Sequence, residues 1–225
     1  MVVGPRARLL APLVLASVSQ PPIDQSLTLQ SAAAYILRAC DPRFLAAVRA
    51  EQAFLYRGEA ITAAAAVLSP PPDLLAFETY GSIAALSYFQ NLERELSDAK
   101  SYVCPSNGHI AVADADAAAQ WGGACSIWPL GARMHYAYPK DRRDFYPLNR
   151  GESSARRILG GASTIAVDTD IGSALRSGRE VMFATEEQAT SAAGRRAQGT
   201  SARGCAFLAV RASADTELNA LLFGE

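Results

Sequence analysis

Cysteine, histidine and net charge are all scarce in this chain, and each scarcity closes off a class of function. Of 225 residues, four are cysteine and two are histidine, and the formal net charge is −1. Cys40, Cys104, Cys125 and Cys205 lie far apart, with no Cys-x-x-Cys and no Cys/His cluster at metal-ligand spacing, so zinc is not expected. No global basic excess calls for nucleic acid, and no acidic excess argues for a solvating tail. No hydrophobic run is long enough to span a bilayer comfortably. With half of the residues hydrophobic and 19% charged, the chain can bury a core, which excludes disorder as its general state.

What is present starts with an unusual N-terminus. Arg6 and Arg8 precede the apolar run Leu9 to Ala16, and the small residues Ser17 and Ser19 follow, then Pro21 and Pro22. A charged segment, an apolar segment and small residues in that order read as a signal or targeting leader over residues 1–22. Residues 23–225 are then one domain, secreted or organelle-targeted if the leader functions and cytoplasmic if it does not. Four cysteines behind such a leader permit two disulfides, and four buried thiols fit the same composition.

Periodicity places helices first and strands later. Leu29, Ala33, Ile36, Leu37 and Cys40 follow helical spacing. Asp41-Pro42 opens a second helix, with Asp as the cap and Pro in the first turn, ending near Glu51. Phe54 to Gly58 reads as a strand. The run Ala63 to Ala66 reads as compositional bias, and Ser69 to Asp73 as a hard break. Phe77, Gly81, Ala85, Tyr88, Phe89, Leu92 and Leu96 mark one face of a long amphipathic helix. Strands are expected over Gly108–Ala113, Cys125–Leu130, Met134–Tyr138, Thr164–Val167, Glu180–Ala184 and Cys205–Val210. Short helices are expected from Asp114 to Trp121, over Ile171–Arg176 and over Ala214–Phe223. Lys140 to Gly161 is loop-like, and Glu186 to Gly204 has almost no large apolar side chain and should be mobile. This order predicts an α+β fold, with N-terminal helices followed by a mixed or antiparallel split β-sheet core.

Three segments carry candidate chemistry. Phe54-Leu55-Tyr56-Arg57-Gly58 presents a guanidinium on a strand, and such a planar fork of donors suits a phosphate. Ser106-Asn107-Gly108-His109 precedes a strand, and Asn-Gly is equally a plain turn. Gly178-Arg179-Glu180-Val181-Met182-Phe183 opens a strand with a carboxylate. Arginine, serine and glutamate in that order resemble the arginine–serine–glutamate class of ADP-ribosyltransferases, over roughly Phe54 to Val210. The resemblance implies NAD as substrate, with ADP-ribosyl transfer to a protein acceptor or NAD glycohydrolysis as the reaction. It implies that Arg57, flanked by Tyr56 and Gly58, holds the NAD phosphates. It makes Ser106 and Glu180 catalytic: both orient the nicotinamide ribose, and Glu180 supports the cationic sugar as nicotinamide leaves. His109 and Tyr136 (or Tyr138) are further candidates for the nicotinamide site. The chain departs from the family where Ser-Thr-Ser is expected, since only Ser106 is kept. It departs again at Gly178, where the residue that addresses the acceptor is expected. A non-catalytic binding module on the same scaffold is therefore a second reading. A Cys/His or Ser/His hydrolase built on His109 or His135, with Cys104 near His109 in sequence, is a third. No Gly-x-Ser-x-Gly elbow supports it.

Overall fold

The computed structural model describes residues 23–70, 83–141, 144–145, 164–186 and 206–224. The expected leader, most of the stretch Lys140 to Gly161 and the expected mobile stretch beyond Glu186 lie outside these residues.

Among the described residues the fold is α+β. In chain order come β1 (Ile23–Leu27), α1 (Leu29–Ala39), α2 (Pro42–Glu51), β2 (Tyr56–Glu59), β3 (Ala65–Leu68) and α3 (Ile83–Asp98). Then follow β4 (His109–Val112), α4 (Ala115–Ala118) with a 3-10 turn at Ala119–Trp121, β5 (Gly123–Pro129) and β6 (Met134–Pro139). The last are β7 (Ile165–Val167), α5 (Ile171–Arg176), β8 (Glu180–Thr185), β9 (Phe207–Arg211) and α6 (Asp215–Phe223). The nine strands form one sheet in the order β1-β3-β9-β5-β2-β4-β8-β6-β7. Every pairing is antiparallel, so the mixed alternative is not realised.

That sheet is split. β2 pairs with β5 over four residues, Tyr56 to Glu59, but with β4 only at Tyr56↔Val112. Five strands therefore lie on one side of a fork and four on the other. Beyond the fork the two halves meet through side chains: Phe183 on β8 and Phe207 on β9 stack edge-on at 6.0 Å. One large core spans both halves together with α1, α2 and α6, where Phe44 packs edge-on against Trp128 at 6.1 Å. A second core lies on the other face of the four-stranded half, where Tyr88, Phe89, Leu92 and Leu96 of α3 meet Ala137, Met182, Ala184 and Phe145.

Local chemistry explains the helix starts. Thr28 caps α1 through Oγ1, which accepts from Ser31 N. Asp41 is buried and does three things: Oδ1 accepts from Arg43 N at 2.8 Å, Oδ2 accepts from Met134 N at 2.9 Å, and Arg43 Nη2 pairs with it at 2.8 Å. Burial alone would push its carboxyl up, but the Arg43 guanidinium and the two amides hold it below the usual carboxylate range. Asp114 caps α4 by accepting from Asp116 N and Ala117 N.

Two strands depart from the expectation. β1 and β3 have no counterpart in the sequence pattern, and Ala63 to Ala66 is not mere bias: Ala65–Leu68 is a strand buried at every position, paired with β1 and β9. A strand covered on both faces has no polar–apolar alternation to betray it. The long helix is described from Ile83 rather than Phe77, the residues between lying outside the described set. Among the described residues no helix is long and apolar enough to cross a membrane.

Candidate functional site at the sheet fork

The fork exists because β4 peels away from β2 after one residue pair. Peeling strands leave main-chain groups without ladder partners, and a buried carbonyl without a donor is costly. Arg57 fills that gap. Its Nη1 donates to Ile110 O of β4 at 3.0 Å, while its Nε donates to Glu59 Oε1 at 2.7 Å. Residues two apart on a strand share a face, which is why Glu59 reaches Arg57. The carboxylate side chain is only 5% exposed and the arginine side chain 26%, so the pair sits at the mouth of the fork. Arg57 Nη2 has no partner among the described residues.

Gly58 is fixed by packing. The chain leaving β4 crosses β2 through α4 and the 3-10 turn, so closely that a Cβ on Gly58 would stand 2.6 Å from Gly122 N and Trp121 C and 2.8 Å from Ala118 O. Tyr56 shares the Gly58 face of β2 and faces away from Arg57. Its hydroxyl bonds Asp215 at the start of α6, and burial together with that carboxylate pushes the phenol well above its ordinary value. Ser126 Oγ donates to the same carboxylate at 2.7 Å.

The strands bearing Arg57, His109 and Glu180 are consecutive in the sheet, β2-β4-β8. Register sets Tyr56, Val112 and Glu180 in one row across them. His109 is fully buried, packed between Phe183 at 5.9 Å and Phe207 at 5.5 Å. Burial, and then the nearby Arg57 charge, holds its imidazole well below the ordinary value, so it is neutral at physiological pH. Its Nε2 is buried and has no hydrogen-bond partner among the described residues.

Other expected site residues sit elsewhere. Glu180 lies on the Met182 face of β8, where its Oε2 accepts from Phe145 N at 2.6 Å. Ser106 is at the far end of β4 from Glu180 and spends both donors on one carboxylate of α3: Oγ to Glu93 Oε1 at 2.8 Å and N to Glu93 Oε2 at 2.9 Å. Glu180 shares its face of the sheet with Tyr56 and Val112, so it lies on the face opposite Arg57, and neither Arg57 nor Ser106 hydrogen-bonds it among the described residues. Tyr136 is on β6, half-buried and stacked on Tyr138 at 6.5 Å. Burial, then Asp168, pushes its phenol up.

Sequence reading did not find a second polar centre. His135 Nδ1 is 2.5 Å from Asp168 Oδ2, and Asp168 Oδ1 accepts from Tyr136 N at 2.9 Å. Asp168 adopts φ +47, a left-handed conformation unusual for a non-glycine residue. His135 is completely buried beneath Tyr102, whose ring stacks on it at 4.3 Å, and its Nε2 also has no partner. An oriented imidazole is half of a nucleophilic site, but no hydroxyl or thiol of a described residue bonds either histidine. Cys104 Sγ instead contacts Ser97 Oγ and Ser101 O, each at 3.8 Å. Cys40, Cys104 and Cys125 are buried, and Cys205 lies outside the described residues. Among the described residues no cluster of three or more His, Cys, Asp or Glu is placed to hold a metal.

No protein-family model matches the chain, and neither does any curated protein or solved structure.

Proposed function

We propose that this chain is a diverged ADP-ribosyltransferase-like domain that binds NAD at the fork between β2 and β4 and cleaves its nicotinamide–ribose bond. ADP-ribose then passes to a protein acceptor or to water. One observation carries the reading: the strands bearing the arginine and the glutamate flank the strand that follows the serine, in the order β2-β4-β8, and the sheet opens between the first two. Segments separated by more than a hundred residues of sequence are thereby brought side by side where the backbone ladder is interrupted.

The roles follow from charge. Arg57 offers the outer edge of its guanidinium to an NAD phosphate, a charge-assisted contact. Glu180, on the opposite face from Arg57, would have to meet the sugar from across the sheet to supply the negative charge that stabilises the oxocarbenium-like sugar as nicotinamide departs.

A second reading is a non-catalytic NAD-binding or interaction module on the same scaffold. It is favoured by the placement of Glu180 on the sheet face opposite Arg57, and by the engagement of Ser106 with Glu93 and of Glu180 with the Phe145 amide, which spends both groups on the chain itself. Nicotinamide release from NAD by wild type and by Glu180→Gln, alongside calorimetric NAD binding, separates the two. The transferase reading expects release by wild type, and retained binding without release in the variant. Binding without release by wild type selects the module. Absence of both rejects the NAD assignment.

A further inference from the structure

We infer that Glu59 is the positioning residue of the anion site: it fixes the Arg57 guanidinium so that only the outer Nη edge is presented to a ligand phosphate. This rests on the NAD reading above and adds a residue to it. A guanidinium has five N–H donors in a rigid fork. At Arg57 the Nε–H is committed to Glu59 at 2.7 Å and one Nη1–H to Ile110 O at 3.0 Å. These two contacts immobilise the plane from opposite corners. One Nη2–H lies parallel to the Nε–H on the Glu59 side, and the other shares with Nη1 the end edge of the guanidinium, which is the edge left for a phosphate. An unbraced arginine would have to order its rotamer-rich side chain on binding, at a cost in affinity. A brace inside the fork removes that cost beforehand.

The burial of Glu59, at 5% side-chain exposure, keeps water from competing for the Nε–H.

The carboxylate could act in two opposite ways, and this makes the inference testable. As a positioning group its removal weakens anion binding; as a mere neighbouring negative charge its removal strengthens it. NAD binding by calorimetry should fall roughly tenfold in Glu59→Ala, the loss of one charge-assisted hydrogen bond. Glu59→Gln keeps an acceptor for Nε and should stay within about threefold of wild type, the cost of a neutral hydrogen bond replacing a charged one. Glu59→Ala added to Arg57→Ala should cost nothing beyond Arg57→Ala alone. Tighter or unchanged binding by Glu59→Ala, with Arg57→Ala impaired, overturns the positioning role and leaves the NAD reading standing. A wild type that does not bind NAD overturns that reading and this inference with it.

Should Glu59→Ala fail to fold, the wild-type protein still decides the matter by nuclear magnetic resonance of the arginine side chains. The Arg57 Nε–H signal should exchange slowly with water and keep its shift as NAD is added, while the Nη signals move. Fast exchange of that Nε–H, or a large Nε shift on adding NAD, overturns the inference.

Discussion

Replacing Asp215 by asparagine should flatten one component of the pH dependence of stability. Asp215 opens α6 with its carboxyl buried against Ser126 and Tyr56. Burial pushes its pKa from 3.8 up to about 6, and the two hydroxyl donors pull it back only in part. Keeping this group ionised in the folded state above its raised pKa therefore costs up to about 3 kcal/mol, at about 1.4 kcal/mol per pKa unit. Partial solvent screening at the helix end makes that an upper value. The folded pKa lies above the unfolded one, so the folded state holds the proton more tightly. The contribution to stability is fully present below the unfolded value of 3.8 and is lost as pH rises through about 6. An asparagine side chain cannot ionise, so the Asp215→Asn variant lacks this loss. Urea unfolding of both proteins, measured from about pH 4 to about pH 8, should show wild type losing up to about 3 kcal/mol relative to the variant across the lower part of that range, and a constant difference above about pH 7. Asp41, whose carboxyl is held low, drives wild-type stability the opposite way, but it is present in both proteins and cancels in the difference. A difference that does not change with pH, or that grows in favour of wild type as pH rises, would refute the argument.

Three further outcomes test other parts of the structure. Gly58→Ala should destabilise by about 2 kcal/mol or more, because its Cβ meets backbone that cannot rotate away; a thermal melt within a degree or two of wild type would contradict the close approach of the 3-10 turn. Asp168→Ala strips the acceptor from both His135 Nδ1 and Tyr136 N, and should cost about 3 kcal/mol in urea unfolding, whereas a loss below about 1 kcal/mol would mean the bonds contribute little. Cys40 and Cys125 should resist alkylation in the folded protein and react only on unfolding, since burial raises both thiols, Cys125 to about 12 with help from Glu59; rapid native labelling read by mass spectrometry would contradict this.

Sequence pattern revealed the elements whose residues sit half in and half out of a core. The amphipathic spacing of Leu29, Ala33 and Ile36 and the Asp41-Pro42 start were enough for α1 and α2. The strand β3 was hidden for the converse reason: four positions all buried, two of them alanine, a residue with little preference for strands, carry no period-two signal. At the candidate site the near neighbours were legible. Glu59 follows Arg57 by two residues, a spacing that any strand converts into contact. Partners set by strand register were not legible. Nothing in the sequence links His135 to Asp168 across 33 positions, and only the β6–β7 pairing does so. Likewise Glu93 reaches Ser106 because α3 folds back over the four-stranded half, a tertiary fact with no local signature.

The fork itself explains why polar groups collect where they do. A continuous antiparallel ladder satisfies its own amides and carbonyls and leaves side chains free for packing. Where β4 leaves β2 after Tyr56↔Val112, that self-sufficiency ends, and side chains must take over the hydrogen bonding. Arg57 does so for Ile110 O, and Glu59 in turn holds Arg57. Each substitution of side chain for backbone brings more donors than the gap requires: a guanidinium has five, and the fold uses two of them. The surplus is what a ligand can bind. Arg57 is thus required by the fold for the same geometric reason that makes it available to a phosphate. Its removal should therefore lower stability and, on the NAD reading proposed above, NAD affinity with it, whereas on that reading Glu180→Gln, at the half-buried start of β8, should abolish turnover and leave both largely intact.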